Sequence, residues 1–145
     1  MFNSFSKSSV TGVDVVGGLV GNNQGEVSTC YSIGRVDGTT DVGGLVGSAN
    51  ADSYYPDGIV CYSFWDVNSS GLYTSAGGEG KTTIEMQTKN TFADVDWDFE
   101  EVWNIGENQT YPYLMVYPAG DLNYDGIVNL PDFAILADHW LAGVE

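Results

Sequence analysis

Basic residues are scarce in this chain: four lysines and arginines stand against twenty aspartates and glutamates, for a formal net charge of −16. A nucleic acid or an anionic membrane surface would have to approach against that field, so neither is expected as a partner. There are two cysteines, Cys30 and Cys61, too few for a disulfide framework and too few to assign a redox compartment. Long apolar runs are missing as well. No stretch approaches the roughly 18 residues that a membrane-spanning helix needs. The opening "MFNSFSKSSV" has no apolar core of the kind a secretory signal carries, so an export signal is expected to lie outside this sequence.

What the chain has in abundance is glycine, nineteen residues of 145, together with nine tyrosines and four tryptophans and only four prolines. That mixture predicts short strands joined by tight turns, in a mainly β fold, and argues against a helical bundle. The length suits one domain, or one domain with a small appendage.

Internal similarity is the strongest signal. "VGGLVG" occurs at Val16 to Gly21 and again at Val42 to Gly47, so that Gly17 and Gly43 stand one period apart, and each copy is followed by "CYS", at Cys30 to Ser32 and Cys61 to Ser63. The same step back from Tyr31 and Ser32 reaches Phe5 and Ser6, and from Val36 and Gly38 it reaches Val10 and Gly12. The chain therefore opens within a repeat, as a fragment of a longer array would. Nine residues separate Gly21 from Cys30 but fourteen separate Gly47 from Cys61, which predicts a five-residue insertion in "SANADSYYPDGIV", as a surface loop.

A glycine-rich unit of this size cannot bury its own apolar face, and stacking on its neighbours is the physical solution. The expected architecture for residues 1–63 is a parallel β-solenoid, β-helix-like, with equivalent residues in ladders about 4.8 Å apart. Phe5, Tyr31 and Tyr62 would form an aromatic ladder, and Ser4, Cys30 and Cys61 a ladder of small residues. Such a rung exceeds the ~3.8 Å between Cβ atoms that a disulfide favours, so a buried thiol ladder is expected. Leu19, Val20, Leu45 and Val46 would fill the interior or its opposite face, and the paired glycines would mark close contacts or positive φ. "VGGLVGNNQGEVSTCYSIGRV" resembles the GLUG repeat, a motif named for its Gly-Leu-x-Gly core and found in tandem in bacterial surface and secreted proteins. The resemblance covers roughly Phe2 to Ser63. It implies an extracellular or cell-surface location and no particular activity.

Residues 64–118 lose the period and gain aromatics, in "FWDV", "DWDFEEVWNI" and "TYPYLMVYP", and are expected to close the open end of the stack as a cap. Within them "TTIE" offers Thr82 as a helix N-cap with Glu85 as capping-box partner, predicting a short helix to about Lys89. Asp94, Asp96 and Asp98 alternate and would share one face of an extended segment. There they could hold a cation or act as paired carboxylates in glycoside cleavage, although three acids on one face more often form only a solvated surface. Trp97 and Trp103 are expected in the core. Tyr54, Tyr55, Trp65 and Tyr73 could stack on sugar rings or pack inside the cap.

Residues 119–145 read differently. From Asp121 onward the chain places oxygen-bearing groups at positions 1, 3, 5, 7, 9 and 12 of a twelve-residue calcium loop: Asp121, Asn123, Asp125, the Ile127 carbonyl, Asn129 and Asp132, with Gly126 at the sharp turn. Calcium (Ca2+) is the expected cofactor. Val128, at position 8, would pin the loop to its helix. That helix should follow directly, with Pro131 in its first turn, Gly143 at its stop and an apolar stripe of Phe133, Leu136, Ala137, Trp140 and Leu141. The single histidine, His139, falls outside the stripe and is expected to be solvated.

Gly120 to Gly143 resembles one repeat of a type I dockerin, the module that attaches secreted proteins to cohesin domains. The resemblance implies that Asp121, Asn123, Asp125, Asn129 and Asp132 ligate calcium, and that Leu130 and Pro131 form the partner-recognition pair. Dockerins carry two such repeats and this chain shows one, so its apolar helix face needs a second copy, a partner or the cap to cover it.

The function that fits best is non-catalytic: an extracellular repeat protein attached through a calcium-ordered docking element, with a cohesin-like domain as partner and polysaccharide as a further ligand. Two alternatives stand beside it. One is a fragment of a β-helical polysaccharide lyase or glycosidase, for which Lys7, Arg35, Lys81 and Lys89 are the only cationic bases. The other is a carbohydrate-binding module that uses Tyr54 and Tyr55.

Overall fold

The computed structural model describes residues 1–49, 58–116, 120–123 and 127–142, with backbone alone at 139, 141 and 142. The chain divides into two compact units, Met1–Tyr113 and Leu114–Glu145. It is mostly β, built of short strands with few helices.

The strands are β1 (Phe5–Ser6), β2 (Val10–Thr11), β3 (Asp14–Gly17), β4 (Val20–Asn22), β5 (Glu26–Ser28), β6 (Tyr31–Ser32), β7 (Val36–Asp37), β8 (Thr40–Gly43), β9 (Val46–Ser48), β10 (Ile59–Cys61) and β11 (Phe64–Asp66). Helix α1 (Val67–Ser70) and strand β12 (Glu79–Lys81) follow, then α2 (Thr83–Met86), α3 (Asn90–Ala93), β13 (Trp103–Asn104), β14 (Tyr113–Leu114) and α4 (Leu130–Ala142).

Pairing follows the sequence period. β1 pairs with β6, β2 with β7, β3 with β8 and β4 with β9, every pair parallel and offset by one full period, as in Phe5 with Tyr31, Val16 with Val42 and Val20 with Val46. The next pairs, β5 with β10 and β6 with β11, are also parallel but span a longer offset, with Val27 opposite Val60 and Tyr31 opposite Phe64. β12 then adds to the far side of β11, so that β1, β6, β11 and β12 make one four-stranded sheet.

That longer offset corrects three expectations. The insertion between β9 and β10 is seven residues, not five; residues 50–57, with Tyr54 and Tyr55, lie outside the described part of the chain. The aromatic ladder runs Phe5, Tyr31, Phe64 rather than through Tyr62. Tyr31 is wholly buried while Tyr62 is 55 % exposed. The small-residue position after Cys30 is Ser63, whose hydroxyl accepts the Cys30 N–H at 3.1 Å, while Cys61 sits opposite Ser28. The two thiols are free and do not share a rung. Burial pushes the Cys30 thiol pKa up.

The paired glycines are set by close contact. A Cβ on Gly43 would collide with the Val46 carbonyl oxygen, and one on Gly44 would collide with the Trp65 indole. Neither has the positive φ that was the alternative expectation. Leu45 and Val46, fully buried, pack with Trp65, and Leu19 and Val20 lie against them. Trp65 is thus core rather than a surface aromatic, its indole N–H donating to the Leu72 carbonyl at 3.0 Å.

A second core forms where the aromatic ladder meets the following segment. Phe5 stacks on Tyr31 with ring centroids 5.2 Å apart, Phe64 meets Phe92 edge-on at 5.3 Å, and Trp97 lies 4.6 Å from Trp103. Trp97 and Trp103 are buried as expected. The Thr82 capping box is present, with Glu85 accepting the Thr82 N–H at 2.7 Å, but α2 stops at Met86, short of Lys89. The "DVDWD" run is not extended. Asp94 caps the end of α3, Asp96 takes φ of 62° in the following turn, and Asp98 accepts the N–H groups of Glu100 and Glu101. Alternation therefore does not gather these three carboxylates on one strand face.

Candidate functional site

Among the described residues of the loop before α4, Asp132 gathers several backbone groups. Asp132 lies in the first turn of the helix and is 2 % exposed. Its Oδ1 accepts the N–H groups of Leu122 at 2.7 Å and Asn123 at 3.2 Å, and its Oδ2 accepts that of Asn129 at 2.8 Å. The start of the loop is thereby folded onto the start of the helix. These contacts, the Asn129 N–H first, hold the Asp132 carboxyl below its usual pKa range against the opposing effect of burial.

Asp121 is also buried, at 5 % exposure, while Asn123 and Ile127 are exposed and Asn129 is half-buried. Asn129 donates its side-chain N–H to the Ile127 carbonyl at 3.4 Å. Its Oδ1 is buried with no hydrogen-bond partner. A buried amide oxygen without a donor is costly, and the same loop carries two buried carboxylates, Asp121 and Asp132. Asp125 and Gly126 lie outside the described residues, and among those described no cluster of three or more His, Cys, Asp or Glu side chains forms. The donor set of carboxylates, amide oxygen and backbone carbonyl is the hard-oxygen chemistry that suits calcium, and a partnerless Oδ1 fits a place beside a cation.

Leu130, the first residue of α4, is 83 % exposed, and Pro131 is exposed beside it. Val128 is half exposed, close to Gly120, whose φ is +104°. The apolar stripe is on the helix as expected, but Phe133, Leu136 and Trp140 are 68 %, 45 % and 74 % exposed. The side chains of His139 and Leu141, and Gly143 as a helix stop, lie outside the described residues.

The scattered cations do not assemble into a basic site. Lys7, Lys81 and Lys89 stand over the rings of Phe5, Phe64 and Phe99, and Arg35 pairs with Asp37 at 3.4 Å.

One buried carboxylate escaped the reading of the sequence. Asp66 is wholly buried and caps α1 through the N–H groups of Asn68 and Ser69. Its Oδ2 accepts the hydroxyls of Thr83 at 2.7 Å and Tyr111 at 2.6 Å. Burial, aided by the Asp66 carboxylate, pushes Tyr111 up to about 12. Four donors satisfy the charge, so Asp66 ties three distant segments together. The signal was present in "DVNSSG", an N-cap aspartate before a short polar helix with glycine at its end.

A Gly-rich membrane protein of Evansella cellulosilytica is 34 % identical to this chain over 137 residues, covering 86 % of the chain and 15 % of the relative. Halomucin of Haloquadratum walsbyi is 34 % identical over 94 residues, covering 62 % of the chain and 1 % of the relative. The chain thus spans a small part of the length of either protein. No family model matches it, and no solved structure does, so the GLUG and dockerin resemblances stand on the motifs quoted above. Among the described residues no helix is long and apolar enough to cross a membrane.

Proposed function

We propose that this chain is part of a non-catalytic extracellular or cell-surface repeat protein, in which a β-solenoid of GLUG-type repeats forms a rigid spacer and a calcium-ordered loop and helix provides a point of attachment. Six parallel strand pairs at fixed sequence offsets support the spacer. In a stack of this kind each unit contacts only its neighbours, so its length is set by the number of units. The relatives named as a membrane protein and a halomucin are in keeping with a surface role for a chain of this composition.

Attachment rests on one observation above the rest: a partnerless, buried Asn129 Oδ1 next to the exposed Leu130 and Pro131. Calcium held by Asp121, Asn123, Asp125, the Ile127 carbonyl, Asn129 and Asp132 would supply a cross-link, not chemistry. By fixing the loop it would fix the two recognition residues against a cohesin-like partner. The test is calorimetric titration of the full chain with calcium, followed by binding of purified cohesin domains with and without chelator. Calcium-dependent binding that is lost on exchanging Leu130 and Pro131 supports the proposal. Binding that ignores both calcium and these residues rejects it.

A further inference from the structure

A cavity of about 200 Å3 opens where β10 and β11 meet β12, with walls that include Val60, Tyr62, Ser63, Glu79 and Val95. One wall, Tyr62, sits at a backbone corner that recurs along the repeats. Asn3, Thr29 and Tyr62 each stand two residues before a rung of the ring ladder, and all three have positive φ, of 46°, 52° and 49°. At the first two the side chains explain the choice: Thr29 donates its hydroxyl to Asn3 Oδ1 at 2.7 Å and accepts the Asn3 N–H. Asparagine also tolerates this conformation well. Tyrosine does not, and the Tyr62 hydroxyl closes no comparable bond.

Its backbone, by contrast, is held firmly, the Tyr62 carbonyl accepting the Trp97 indole N–H at 2.8 Å. A large ring, 55 % exposed, thus stands at a corner where the preceding repeats carry asparagine and threonine. The same corner is taken by every repeat, at Asn3 and Thr29 as at Tyr62, so what is particular here is the exposed ring beside a cavity. Across the cavity Glu79 uses Oε1 to hold Lys81 at 2.6 Å, leaving Oε2 free, on a side chain that is 66 % exposed.

We infer that this corner is a subsite for one neutral sugar ring, whose C–H face stacks on Tyr62 and whose hydroxyl donates to Glu79 Oε2. An aromatic face beside a free carboxylate oxygen matches a sugar's two surfaces, apolar above the ring and hydroxyl-bearing at its edge. The cavity is smaller than the ~300–1,000 Å3 of clefts for drug-sized ligands, which suits a single ring or chain end. A net charge of −16 and the Glu79 carboxylate both disfavour an acidic sugar. The subsite lies within Met1–Tyr113 and does not depend on calcium or on the attachment reading.

The experiment is an NMR titration of the full chain with the methyl glycosides of glucose, galactose, mannose and N-acetylglucosamine, with glucuronic acid as the anionic control. At least one neutral glycoside should shift the amides around Tyr62, Glu79 and Val95, and glucuronic acid should bind more weakly. Tyr62→Asn, which copies the residue at the equivalent corner, should weaken binding at least tenfold while leaving Tm unchanged or raised. Tyr62→Phe should retain binding, and Glu79→Gln should weaken it several-fold. The assignment fails if no neutral glycoside shifts these amides or if Tyr62→Asn binds as well as the parent. It also fails if Tyr62→Asn lowers Tm by several degrees, since the ring would then be serving the fold.

Discussion

Tyr31 stands opposite Phe64 on neighbouring parallel strands, and both rings are buried. Tyr62, two residues before Phe64 and part of the motif that repeats "CYS", is on the surface. Phe64→Ala should therefore cost about 3–5 kcal/mol, as large buried aromatics do. Tyr62→Ala should stay within about 0.5 kcal/mol. Urea unfolding of the two variants checks this, and equal losses would show that the ring ladder passes through Tyr62 after all.

Two glycines offer a matched pair. A Cβ on Gly44 collides with the Trp65 ring, while one on Gly25 meets nothing within 4 Å. Gly44→Ala must displace a buried indole and should lose about 1–3 kcal/mol or more. Gly25→Ala should be neutral or gain about 0.4–1 kcal/mol by narrowing the unfolded ensemble. Thermal unfolding of both separates contact from backbone effects.

How far the sequence could be read depends on what each signal encodes. "VGGLVG" placed the first four strand pairs in register because its glycines are required by close contact. "CYS" misled by two residues, and the apolar pattern could not object. A slip of two preserves which side chains face inward, whereas a slip of one reverses them. The aspartate run 94–98 alternates as a strand would, yet Asn90–Ala93 is a helical turn and the aspartates that follow it form turns. Asp66 and the corner at Tyr62 depend on contacts with residues 17 to 45 positions away, which no local pattern carries. The calcium loop was legible as a spacing of ligand types, but the unpartnered oxygen of Asn129 was not.

Alkaline pH should find two tyrosines, Tyr31, which is buried, and Tyr111, which is half-buried. Burial raises the pKa of Tyr31, which bonds to the Pro112 carbonyl, and takes Tyr111 to about 12, both from an ordinary value of 10.0. Below pH 10 both states keep these protons and the native advantage is intact. Between pH 10 and about 12 the unfolded chain gives up protons that the folded chain retains, so stability falls as pH rises. Near-ultraviolet absorbance should show two of the nine tyrosines ionising only as the near-ultraviolet circular dichroism is lost. Their ionisation at an ordinary pH in a chain that keeps its native signal would contradict these environments.

Asn129 allows calcium to be tested by a change of sign rather than of size. Its Oδ1 is buried with no hydrogen-bond partner in the protein, an arrangement that costs roughly 1–3 kcal/mol if nothing else satisfies it. Asn129→Ala removes that penalty at the expense of one long bond to Ile127, so in chelator the variant should be as stable as the parent or more so. With calcium at a hundredfold excess over its dissociation constant, the parent gains about 2.7 kcal/mol, and a variant lacking one ligand gains less. The order of stability should then reverse. Asp132→Ala should behave differently because Asp132 also holds three backbone N–H groups of the chain itself, so its loss should loosen the loop in chelator as well as in calcium. Hydrogen exchange of the amides from Phe133 to Trp140, read with calcium and with chelator, distinguishes these cases. If Asn129→Ala is weaker than the parent by the same margin in both, its oxygen is not a calcium ligand and the ordering of this helix has another cause.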